Sequence, residues 1–134
     1  MTGRTRSDGK RNGFTMIELL VVLTLIALLA SIAVPVVTHS ILRAKEATLK
    51  ENLFVTRKAL DDYYADKGMY PPNLTALVEE RYLRRLPRDP ITENTDTWLL
   101  THAEGSDNGQ QGGIMDIHSG STEISSDGQP YQQW

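Results

Sequence analysis

Cysteine is absent from all 134 residues. Neither a disulfide nor thiol chemistry is open to the chain, so something else must hold any exported domain built from it. A glycine-rich phosphate cradle is also missing, so energy for any assembly must come from another protein. The three histidines, His39, His102 and His118, are scattered, and none stands at metal-ligand spacing from another. Asp116, His118 and Ser119 are the residue types of a hydrolytic triad, but their side chains are expected to diverge along a strand. No catalytic residue is assigned, and no enzymatic activity is expected.

Charge is present but divided. Residues 1–13 hold Arg4, Arg6, Lys10 and Arg11 against Asp8, a net of +3. The rest holds 10 basic and 16 acidic residues, a net of −6. An acidic body argues against nucleic acid as a partner. Between the basic leader and that body lie twenty residues, 19–38, without one charge. As a helix they span ~30 Å, the hydrocarbon thickness of a bilayer. Preceding basic residues keep the amino terminus cytoplasmic and export the body. Length and flanking charge suit equally a cleavable signal peptide, cut at a small-x-small site such as Ser31-Ile32-Ala33.

Glu18 separates these readings. A carboxylate at membrane depth costs ~2.5–3.5 kcal/mol on insertion scales, and so marks a function and a partner. A cut after Gly13 would supply that partner, because Phe14 would gain a positively charged α-amino group. Phe14 and Glu18 are four apart on one helix face, so the carboxylate can pair with its own terminus or with a neighbouring subunit's. The run Gly13-Phe14-Thr15-Met16-Ile17-Glu18-Leu19-Leu20, behind a basic leader and before an uninterrupted span, resembles the class III signal of type IV pilins and type II secretion pseudopilins. The resemblance implies a membrane peptidase that cleaves after Gly13 and methylates Phe14. It also makes Glu18 an assembly residue.

The helical pattern continues beyond the span. Leu42, Leu49, Leu53, Thr56, Leu60 and Tyr63 recur at spacings of seven, four, three, four and three, an amphipathic stripe. Arg43, Lys45, Glu46, Lys50, Glu51, Arg57, Lys58, Asp61 and Asp62 are placed on the other faces. Gly68 is the stop signal. One helix over residues 14–67 would be ~80 Å long, more than the remaining residues can cover, so its first half is expected to pack against lipid or copies of itself. Pro35 should kink or locally unwind it. In the family resembled, a proline here marks where the helix melts on packing into a filament.

After Gly68 the character changes. Asn73 reads as the N-cap of a short helix over 74–82, and Leu86-Pro87-Arg88-Asp89-Pro90 as an irregular connection. Three short antiparallel strands are expected at 97–102, 113–118 and 122–125, with turns at 105–109 and 119–121. Trp98, Ile114 and Ile124 are the candidates for the buried face, with Trp134 at the sheet edge. The fold class is α+β: a long helix, transmembrane in its first half, packed on a small antiparallel sheet. The organisation read is a leader at 1–13, a transmembrane and assembly helix at 14–38, an amphipathic helix at 39–67, and a connecting segment with sheet and carboxy-terminal loop at 68–134.

The segment YPPNLTALVEERYLRRLPRDP, the missing cysteines and the final tryptophan resemble major pseudopilins of type II secretion. That resemblance implies a pilin-like fold and an inner-membrane precursor that polymerises into a periplasmic filament driving protein secretion. Its implied partners are further copies of itself, minor pseudopilins, the prepilin peptidase and methyltransferase, and an inner-membrane assembly platform with its ATPase. A surface pilin or minor pilin-like subunit is the alternative within the family; a signal-anchored periplasmic binding module that never polymerises is the rival outside it. The resemblance also implies calcium in the carboxy-terminal loop. Here Asp116, Glu123, Ser125, Asp127 and the backbone of 119–121 are the candidate ligands, although the loop is poorer in aspartate than the family's, and Asp127-Gly128 reads equally as a plain turn.

Overall fold

The computed structural model describes residues 2–3, 13–105 and 112–134. The expected basic leader, apart from Thr2, Gly3 and Gly13, and most of the expected turn at 105–109 lie outside the described residues. The elements run α1 (Met16–Lys67), α2 (Leu74–Glu79), β1 (Leu99–His102), β2 (Ile114–His118) and a closing 3-10 turn (Tyr131–Gln133). By compactness the chain divides between Thr38 and His39.

In the first unit every described side chain of α1 is exposed. Its apolar stretch is long and hydrophobic enough to cross a membrane, and a continuous exposed apolar surface of that extent calls for lipid or another protein. The helix passes through Pro35 without a break, so the unwinding expected there does not occur in the single chain. One missing donor removes a single ladder bond, and nearby hydroxyls occupy carbonyls around it. Ser31 Oγ donates to Leu28 O at 2.7 Å, and Thr38 Oγ1 to Pro35 O at 3.0 Å.

In the second unit the apolar stripe of α1 forms one wall of the core. Leu49, Leu53, Leu60 and Tyr63 bury against Leu77, Leu83, Trp98, Ile114, Ile117 and Tyr131. The helix stops where expected: Gly68 has φ +70 and donates its N–H to Tyr64 O at 2.8 Å, a left-handed end that glycine takes without penalty. Asn73 caps α2, its Oδ1 accepting from Ala76 N at 2.8 Å. The helix ends at Glu79, earlier than expected, and Arg81 turns left-handed at φ 65.

Among the described residues the sheet has two antiparallel strands, not three. β1 and β2 pair Leu99 with His118 and Thr101 with Asp116, then shift register so that His102 meets Ile114. The bulge leaves Met115 over and puts Ile114 and Ile117, three apart, both into the core. Residues 122–125 make no third strand because their donors are claimed locally. Ser119 Oγ accepts from Ser121 N, Ser121 Oγ from Glu123 N, and the backbone of Ser125 closes on Gln129 and Gly128. Side-chain acceptors this close compete with a ladder, and only an isolated bridge between Ile124 and Pro130 remains. Ile124 is therefore 65% exposed, not part of the core. Trp98 and Ile114 are buried as expected.

Candidate functional site

Two places carry the residues singled out by the sequence. At the first, Gly13 is open: a Cβ added there would meet nothing within 4 Å. Phe14 is exposed. Thr15 caps α1, its Oγ1 accepting from Glu18 N at 3.2 Å while its carbonyl accepts from Leu19 N at 3.2 Å. Glu18 thus stands at the third helical position, where the helix dipole favours a negative charge. Thr-x-x-Glu is a capping-box pattern. Among the described residues the Glu18 carboxylate has no hydrogen bond or ion pair. It stands four residues after Phe14 in the chain.

At the second place the expected calcium ligands are spread over different tasks. Asp116 Oδ1 accepts from Arg57 Nε at 2.8 Å and from Ile117 N at 2.7 Å. Asp116 Oδ2 lies 3.3 Å from His118 Nε2, so these two side chains converge instead of diverging. They are two apart in a strand and share a face. Ser119 does not join them; its Oγ donates to the buried Asp89 at 2.6 Å. Glu123 and Asp127 are exposed, and Ser125 is buried with its Oγ unbonded. Among the described residues no three acidic or histidine side chains gather at metal-binding distance. Asp116, one of the expected ligands, is already engaged by a guanidinium.

What holds the tail comes from α1. Glu46 is buried. Its Oε1 accepts from Ser126 N at 2.7 Å and from Tyr131 Oη at 2.8 Å, and its Oε2 from Ser126 Oγ at 2.6 Å. Desolvation raises its pKa, but the Ser126 side-chain and backbone hydrogen bonds, that of Tyr131, and the charge of Lys50 outweigh it and leave the carboxyl below its ordinary range. Burial, then the bond to Glu46, pushes the Tyr131 phenol above its ordinary value. Eleven residues on, and so near the same face of the helix, the half-buried Arg57 bonds Asp116, the carbonyls of Ile117 and Trp134 at 2.9 and 2.6 Å, and approaches His118 Nδ1 at 3.4 Å.

The sequence pattern places both residues on the outer faces of the helix; in the structure both turn to the body, Glu46 buried and Arg57 half-buried. The missed signal for Glu46 is the gap of seven between Leu42 and Leu49. A four-three stripe has a member at 46, and a carboxylate standing in that slot must be met by buried donors.

Comparison with known proteins bears on the first place. Residues 8–34 match the model of the prokaryotic N-terminal methylation motif. Over 141 aligned residues the chain is 31% identical to type II secretion system core protein G of Pectobacterium carotovorum subsp. carotovorum, covering 93% of this chain and 82% of that one. It is 33% identical to the protein of that name from Escherichia coli (strain K12) over 101 residues, 63% of this chain and 70% of the relative. The Pseudomonas aeruginosa protein of that name is 33% identical over 97 residues, 60% of this chain and 68% of its own length. No solved structure matches significantly.

Proposed function

Since the chain belongs to the family of type II secretion system core protein G, we propose that it polymerises into a periplasmic pseudopilus serving protein secretion. The family is one of structural subunits, and the chain is not an enzyme. The observation that carries the polymerisation reading is the open, capped start of α1: an unobstructed Gly13, an exposed Phe14, and a Glu18 carboxylate without a partner among the described residues.

Each part has a role that its chemistry suits. A prepilin peptidase takes the open backbone at Gly13, releases the leader, and the new amine on Phe14 is methylated. Before assembly the exposed apolar half of α1 sits in the inner membrane with the body exported. An incoming subunit then neutralises its terminal amine against a Glu18 already in the polymer, and the apolar helices exchange lipid for one another. The contact is between two different surfaces and does not close, so it grows as a filament. Minor pseudopilins and an inner-membrane platform with its ATPase are the further partners of this reading, the latter supplying the energy.

Labelling the amino terminus of the membrane-bound protein tests the processing. A terminus at Phe14 is expected; one after Ala33 would mean a secreted product and sink the reading. Glu18→Val tests the assembly. The variant should insert and be cleaved like the parent, since a membrane charge is removed, yet form no filament in a strain lacking the native subunit. Parental assembly of that variant would refute the charge pair.

A further inference from the structure

The carboxy-terminal tail has no disulfide to close it, and among the described residues no three acidic or histidine side chains gather to hold a metal. We propose that two side chains of α1, Arg57 and Glu46, do the closing in place of a metal, so that the tail is held without any bound cation.

The donor sets carry this. Around Arg57 stand one carboxylate oxygen of Asp116 and the carbonyl oxygens of Ile117 and Trp134, all within 2.6–2.9 Å of guanidinium nitrogens. Carboxylates and backbone carbonyls converging on one positive centre are the oxygens calcium takes. Here the positive centre is the guanidinium, whose planar fork reaches several acceptors at once. A calcium ion bound to the same oxygens would have to displace a tethered cation.

Glu46 serves the opposite polarity. The tail presents to it three donors, Ser126 N, Ser126 Oγ and Tyr131 Oη, each spent on the carboxylate. Arg57 thus ties the last residue of the tail to β2, and Glu46 ties Ser126 and Tyr131 to the same helix. Between them the ring of Trp134 packs edge-on against Tyr131, centroids 5.1 Å apart, with Lys50 Nζ 4.7 Å from the Trp134 ring centre. Helix and tail are tied at both ends of this short stretch, and the exposed Glu123 and Asp127 are left to solvent.

Amide hydrogen exchange of the full chain in detergent micelles tests the proposal, with millimolar calcium in one arm and chelator in the other. The Ser126 and Tyr131 amides should exchange at the same rate in both arms. Glu46→Gln should speed Ser126 exchange roughly tenfold or more, and Arg57→Ala should do the same for the last residues, while amides about Leu60 keep parental protection. Tyr131→Phe removes one hydroxyl without a cavity, so it serves if a larger change prevents folding; it should speed Ser126 exchange severalfold. Tail protection that rises tenfold with calcium in the parent would overturn the proposal. Parental exchange in both the Glu46 and Arg57 variants would overturn it equally.

Discussion

Glu46 and Tyr131 lie 85 positions apart in the chain, and their side chains meet at 2.8 Å in a buried hydrogen bond. The carboxylate is ionised and accepts further bonds from Ser126, so the join between α1 and the tail is charge-assisted. It is also sensitive to acid.

The sign follows from the direction of the shift. The folded state holds the Glu46 carboxyl below its ordinary value of 4.5. The stabilisation is fully present above that value and is lost as pH falls through the lower, folded one. The groups facing Glu46 are Lys50, Arg43 and His39 from α1, and Ser126, Asp127 and Tyr131 from the tail. Melting temperature should therefore be flat with respect to Glu46 from neutrality to about pH 5 and fall below it. Glu46→Gln should melt lower at neutral pH and show a shallower acid decline. Parallel acid limbs for the two proteins would refute the assignment.

Gly120 is required by a close approach. A Cβ built there would lie 1.7 Å from the Thr97 carbonyl oxygen, a backbone atom that cannot swing aside. Gly120→Ala should destabilise by about 1–3 kcal/mol, as overpacking does, with the largest chemical-shift changes at Thr97 and Trp98. A melting temperature within a degree of the parent would show that the approach is looser than this.

Gly13 makes the opposite case. With nothing within 4 Å of an added Cβ, neither alanine nor valine there should alter the melting of the folded body. Processing should respond strongly, because a peptidase must fit the backbone at the cut. Gly13→Ala should be cleaved slowly and Gly13→Val should persist as precursor on a gel. Normal maturation of the valine variant would remove Gly13 from the cleavage site.

The Asn73 cap is a local test of the short helix. Its side chain satisfies Ala76 N–H at 2.8 Å, and Asn73→Ala should cost about 1 kcal/mol. Asn73→Asp should retain most of that. Equal stability of parent and alanine variant would mean that packing of Leu77, and not the cap, holds α2.

Residues that act on their near neighbours could be read directly. Gly68 stops α1, Asn73 starts α2, and Leu49, Leu53, Leu60 and Tyr63 mark the buried face, because helical periodicity and capping are relations within a few positions. Gly13, Phe14 and Glu18 stand within a few positions of one another, inside the stretch that matches the methylation motif. Other features required the tertiary structure. The bulge at Met115 sends both Ile114 and Ile117 inward, the hydroxyls of Ser119 and Ser121 divert backbone donors from a third strand, and Ile124 stays outside. The grip of Glu46 and Arg57 on the tail joins groups 77 to 85 positions apart. Local pattern shows that a charge occupies a buried slot, but its partner is whatever the folded chain brings there. The desolvation cost of an unpaired buried charge makes that partner obligatory.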